Sequence, residues 1–173
     1  AAVRFEIARE MRHTFNISLE QGDITNQKQS GRCWMFAALN TMRFRIIKKL
    51  GFKTFELSQN YALFFDKLEK SNYFLESILE TLDEPIAGRL VTYLLSGPLG
   101  DGGQWDMFAN LVEKYGVVPK EVMPETAASS STREIIGYLT EKLRGFACTL
   151  RTAYQNGASM EELRAKKDDT MPP

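Results

Sequence analysis

Cys33 is the residue in this chain best placed to do covalent chemistry. It follows Gly31-Arg32 and opens a pattern of apolar residues at 36, 39, 42, 46, 47 and 50, a spacing that predicts an amphipathic helix from Cys33 to Leu50 with Gly51 as its stop. A helix N-terminus carries unpaired N–H groups and partial positive charge, which favour a thiolate over a thiol, and the thiolate is the nucleophile of cysteine chemistry. Gln27 lies upstream in the same loop, where its side-chain amide can offer an N–H to a developing oxyanion beside the backbone N–H of Cys33. Gly31 allows a close backbone approach or an unusual dihedral just before the nucleophile. Trp34 is placed to keep water from the sulfur. Together these residues make half of a site for thiolate attack on a carbonyl. The competing reading is an inert thiol buried under an aromatic helix face, the usual fate of a free cysteine.

The other half of such a site is a base that takes and returns the proton, and a partner that holds the base in the right tautomer. The chain contains one histidine, His13, which lies before Cys33 and reads as a surface or loop residue. No asparagine can be given the orienting role. The second of the two cysteines, Cys148, has no CxxC neighbour, and a single histidine leaves zinc binding unsupported, so no cofactor or metal is implied. The two cysteines read as free thiols of a reducing cytosol, although sequence alone leaves a disulfide between them open.

Composition narrows the class of protein. With 173 residues, 43% hydrophobic and 25% charged, the chain suits one soluble globular domain. Lys+Arg and Asp+Glu are both 22, so nothing favours nucleic acid or an anionic membrane as partner. The apolar runs are short and broken by charge, which predicts no transmembrane span, and the N-terminal stretch does not read as a signal peptide.

The elements that must position Cys33 follow from periodicity and punctuation. Residues 1–25 read as an N-terminal extended segment. Phe15, Ile17 and Leu19 alternate with polar residues as in a short strand or extended stretch, and Gln21-Gly22-Asp23 reads as a turn. Arg43, Arg45, Lys48 and Lys49, late in the first long helix, predict a solvated face. Ser58 is a candidate N-cap for a second helix carrying Tyr61, Phe64, Phe65 and Leu68, and a third segment runs through Phe74, Ile78 and Leu82. Pro85 can open another helix that ends near Ser96. Residues 97–103 form a Gly-rich loop. Residues 105–115 predict a helix stopped by Gly116, with Trp105 and Phe108 in the core. An irregular stretch covers 117–131. Ser131 and Glu134 have capping-box spacing for a long helix to about Gln155, and Ser159 and Glu162 repeat it for a short last helix within 157–173. The sum is a mainly α domain over 26–156.

Thr25-Asn26-Gln27-Lys28-Gln29-Ser30-Gly31-Arg32-Cys33-Trp34-Met35-Phe36-Ala37 resembles the active-site segment of papain-like cysteine peptidases of the C1 type, in the bleomycin hydrolase and bacterial aminopeptidase C branch. Four further blocks resemble the same branch in order: Phe55 to Gln59, Asp66 to Asn72, Asp101 to Met107, and Glu113 to Lys120. The resemblance implies the helical (left) domain of the papain-like fold, with the β-rich second domain missing. It implies Cys33 as the nucleophile that forms an acyl-enzyme with peptides and Gln27 as oxyanion donor. Gly102 and Gly103 would line the unprimed side of the cleft, where substrate backbone can approach. In this family the histidine and asparagine come from the β-rich domain, which implies a chain inactive by itself. The C-terminal arm that restricts such enzymes to the amino end of peptides is not found here. The family also forms closed rings, which implies a homo-oligomer, and apolar surface around Trp34 and Trp105 would favour self-association of this chain alone. Secreted relatives carry a disulfide cysteine three residues before the nucleophile; Ser30 stands there, which agrees with a cytoplasmic protein. The alternative is a truncated, non-catalytic paralogue acting as a peptide-binding or assembly module.

Overall fold

The computed structural model describes residues 4–12, 14–19 and 22–170. His13 and Gln21 lie outside the described residues. Among those described, the chain forms eight helices: α1 Phe5–Glu10, α2 Cys33–Leu50, α3 Gln59–Glu80, α4 Arg89–Ser96, α5 Trp105–Tyr115, α6 Ala127–Ser130, α7 Arg133–Gln155 and α8 Met160–Asp168. β pairing among these residues is confined to two isolated bridges, Gln29 with Ser131 and Leu57 with Pro119. The mainly α expectation holds.

Several helix ends form as their residues dictate. Gly51 takes φ +69° and donates to Ile47 O, the left-handed stop that a residue with a Cβ adopts only at a cost. The Ser58 hydroxyl accepts the Tyr61 N–H at 3.0 Å and caps α3. At α8, Ser159 and Glu162 complete the expected capping box.

Other boundaries differ from expectation, each for a visible reason. The second and third helical segments are one 22-residue helix, α3. No Gly or Pro interrupts it, and Ser71 turns its hydroxyl back to Lys67 O instead of breaking the run. Pro85 does not open α4. Residues 81–88 stay in turns, and the Arg151 guanidinium takes the Thr81 and Glu84 carbonyls from across the domain. The Ser131–Glu134 capping box does not form. The box lies earlier, between Thr126 and Ser129, and α7 starts after Thr132, whose hydroxyl is drawn away to Asp101. Phe15, Ile17 and Leu19 are exposed and form no strand, while α1 gives a short helix within the stretch expected to be extended. Arg43 is not part of a solvated face: it is buried, and its guanidinium donates to Asp23 O. Arg45, Lys48 and Lys49 are exposed as expected.

Helix α3 is shared by two apolar clusters. Its C-terminal half packs Phe74, Leu75, Ile78 and Leu79 against Leu143, Ala147 and Leu150 of α7 and Leu163 of α8. Its N-terminal half contributes Ala62 and Leu63 to a cluster with Met35, Ala38 and Leu39 of α2 and Phe108 and Leu111 of α5. The second cluster fixes α2, and therefore the start of α2, where Cys33 sits.

Candidate active site

The loop before Cys33 is folded by its own side chains. Asn26 Oδ1 accepts the Lys28 N–H at 2.8 Å, and Lys28 sits at φ +55°, in the left-handed region. Gln27 and Ser30 then lock each other. Gln27 Nε2 donates to Ser30 O at 2.8 Å, and the Ser30 hydroxyl donates to Gln27 O at 2.6 Å. Arg32 Nε donates to the same hydroxyl oxygen at 2.8 Å, while its two terminal nitrogens hold both oxygens of Glu125 at 2.8 Å. Such a fork is the geometry at which a guanidinium binds a carboxylate best.

The side chains alternate from Ser30 onward. Ser30 and Arg32 are buried, Gly31 and Cys33 are exposed, and Met35 and Phe36 are buried again. Because Arg32 and the apolar residues point inward, the Cys33 thiol is left on the surface at the first position of α2. The reading of an inert buried thiol is overturned. Cys148 is also free and exposed.

The Gly-rich loop lies directly against this segment. Asp101 Oδ2 accepts the Gly31 N–H at 2.8 Å, and the Thr132 hydroxyl donates to the same oxygen. Asp101 Oδ1 pairs with Lys67 Nζ at 2.8 Å. The Trp34 indole N–H donates to Asp101 O at 2.8 Å. Burial pushes the Asp101 carboxyl up, but the Lys67 ammonium, the Thr132 hydroxyl and the Gly31 N–H outweigh it and hold the group below the usual aspartate range. Glu125 behaves alike: burial raises it, and Arg32 and Ser129 outweigh burial.

Two of the three glycines here have distinct steric reasons. A Cβ on Gly31 would lie 2.7 Å from Asp101 Cβ, so the close approach expected of Gly31 is real. A Cβ on Gly103 would lie 2.4 Å from the Trp34 ring, so Gly103 makes room for the tryptophan that follows Cys33. Gly102 is exposed, with nothing within 4 Å of a Cβ placed on it. Gly103 therefore packs on Trp34, while Gly102 stays open beside it in the same loop as Asp101. Phe108 is buried as expected, but Trp105 is 66% exposed and does not belong to the core.

Sequence reading missed Asp101, Lys67, Thr132, Arg32 and Glu125. The available signal was charge at helical spacing in Asp66-Lys67 and Lys70, and an aspartate next to paired glycines. Among the described residues no group of three or more His, Cys, Asp or Glu side chains could hold a metal ion. No helix there is long and apolar enough to cross a membrane. The arrangement presents an exposed thiol, an amide with one N–H committed to Ser30 O, and a glycine-bearing loop packed against Trp34. The one histidine, His13, lies outside the described residues.

The Peptidase C1-like family matches residues 1–172. Aminopeptidase C of Lactobacillus delbrueckii subsp. lactis is 49% identical over 158 residues, which cover 91% of this chain and 35% of that protein. Bleomycin hydrolase of Gallus gallus is 47% identical over 154 residues, covering 88% of this chain and 34% of that protein. A crystal structure of PepW from Lactobacillus rhamnosis HN001 superposes with a TM-score of 0.90 at 53% identity, over 96% of this chain and 37% of that one. The chain thus spans about a third of the length of these relatives.

Proposed function

From the premise that this chain belongs to the Peptidase C1-like family, we propose that it is the nucleophile-bearing part of a cysteine-type aminopeptidase that hydrolyses peptides through a Cys33 acyl-enzyme. The observation that carries this reading is the exposed Cys33 thiol at the start of α2, set between buried Arg32 and buried Met35. The Cys33 sulfur attacks the peptide carbonyl carbon. The oxyanion is held by the Cys33 N–H and by the Gln27 amide. The C–N bond breaks as the leaving amine gains a proton, and water then releases the acid from sulfur. The base that moves the proton comes from outside these residues, so this chain is inactive by itself. Peptide lies along Gly102 and Gly103, and trimming begins at a free amino terminus. We place the protein in the cytoplasm as a homo-oligomer; exposed Trp105, Tyr73 and Ile24 support association.

A second reading is favoured by one observation: the sole histidine precedes Cys33. In that reading the chain is a truncated, non-catalytic paralogue that binds peptides or serves assembly. One experiment separates the two. The chain is joined to the remainder of the L. delbrueckii aminopeptidase C and assayed on a fluorogenic aminoacyl amide, beside the chain alone. The proposal expects no hydrolysis by the chain alone, hydrolysis by the joined protein, and loss of it in Cys33→Ala. A folded joined protein without Cys33-dependent hydrolysis sinks the enzymatic reading.

A further inference from the structure

The Gly-rich loop has no regular structure, so each of its backbone groups needs a partner found elsewhere. Three consecutive carbonyls find theirs in side chains. Gly100 O accepts from Lys67 Nζ at 2.7 Å and Lys70 Nζ at 3.0 Å. Asp101 O accepts from the Trp34 indole, and Gly102 O accepts from Lys70 Nζ at 2.7 Å. Among the described residues, neither the N–H nor the C=O of Gly103 has a protein partner.

The two lysines stand one turn apart on α3 and are tied to the helix by Asp66, which pairs with Lys67 at 3.0 Å and Lys70 at 2.9 Å. With Asp101 the cluster holds two ammonium groups and two carboxylates. The Lys70 ammonium has three N–H groups, and Asp66, Gly100 O and Gly102 O take all of them. It also lies 5.4 Å from the centroid of the Trp34 ring. It has no donor left for a bound anion. Its spare function is geometric, because it fixes which way two peptide planes of the loop face.

We propose that Lys70, seconded by Lys67, is a positioning residue that turns the Gly100 and Gly102 carbonyls inward and so presents the free edge of Gly103 to an extended peptide. This inference rests on the reading of Gly102 and Gly103 as a peptide-binding wall. Lys70 does not touch the reacting atoms, so its loss weakens peptide seating and leaves the intrinsic reactivity of the thiol alone.

The test compares two reagents on Cys33 in the 173-residue chain, with alkylation followed by mass spectrometry. Iodoacetamide needs only an accessible thiol, whereas an aminoacyl-peptidyl chloromethyl ketone also uses the wall. The wild-type chain is expected to favour the peptidyl reagent. Lys70→Met should lower the ratio of the two rates about tenfold through the peptidyl reagent alone, and Lys70→Arg, which keeps donors, should hold it within about twofold. Where Lys70→Met loses its helical dichroism, Lys70→Leu, which also lacks donors, carries the same expectation. A wild-type ratio near one, or a ratio unchanged in the lysine variants, overturns the proposal. Failure of the enzymatic reading looks different: the joined protein would lack Cys33-dependent hydrolysis while the ratio still fell.

Discussion

The two apolar clusters on α3 are finished in different ways. Around Leu75, Ile78 and Leu163, helices α3, α7 and α8 meet through hydrocarbon, with Arg151 on the Thr81 and Glu84 carbonyls and Lys167 on Glu76 at the margin. Around Cys33 the nearby backbone is irregular, and it is answered by Asp101, Trp34, Lys67 and Lys70. The apolar cluster tolerates any sequence of matching shape and volume. The site side depends on particular charged groups brought from α3 and from residues 125–132. Its geometry is therefore encoded mostly outside the segment that bears Cys33.

The largest effect that would sharpen this contrast is at Arg32. Arg32→Met leaves the Glu125 carboxylate without its fork and should cost about 3–5 kcal/mol, read from the urea midpoint at constant slope. Arg32→Met combined with Glu125→Leu should recover much of that, because the cost lies in the stranded charge. A double variant no more stable than the single one would show that the site is packed like the other cluster.

The counterpart on the apolar side is Leu75→Ala. Leu75 has no exposed surface, and its truncation should cost about 2–5 kcal/mol. It should leave the ratio of peptidyl to small-reagent alkylation at Cys33 unchanged. A change in that ratio would mean that the two clusters respond as one, and the comparison would fail.

Acid should act on the site side through two carboxylates. Asp101 and Glu125 both lie below their ordinary range in the folded state. A depressed carboxylate contributes stability above its unfolded value, about 3.9 for Asp and about 4.3 for Glu, and loses it as pH falls through the folded value. Trp34 and Trp105 both stand on the site side. Near-ultraviolet dichroism should therefore fade below about pH 4. A tryptophan signal unchanged down to about pH 3 would contradict this. In Asp101→Asn the tryptophan signal should lose part of its acid dependence.

The same division explains what was legible in the sequence. Ser58, Gly51, Gly116 and Ser159 mark helix ends through local chemistry, and each stands where expected. Cys33, Gln27 and Gly31 are local to one loop, and they were readable as a group. Asp101 and Lys67 were not, because their meaning depends on 70 and 34 positions of intervening chain closing on themselves. Thr132 has the right chemistry for a helix cap, but a distant carboxylate outbids the helix for its hydroxyl. Arg43 and Trp105 failed for a related reason. Whether a cation is solvated or an aromatic buried is decided by the segment opposite, Asp23 for the first and open surface for the second.

The smallest predicted effect concerns the one part of the site that is set locally. Lys28 sits at φ +55°, held there by the Asn26 carboxamide and by the mutual lock of Gln27 and Ser30. A left-handed residue with a Cβ costs roughly 1–2 kcal/mol, and Lys28→Gly removes that cost while adding about 0.5–1 kcal/mol of chain entropy to the unfolded state. The two partly cancel, so Lys28→Gly should gain at most about 1.5 kcal/mol, and Lys28→Val, which stiffens the wrong conformation, should lose about 1–2 kcal/mol. Equal midpoints for the valine and glycine variants would mean that residues 26–30 do not impose the turn. Asp101 and Arg32 would then hold the loop from a distance, and no part of the setting of Cys33 would be local.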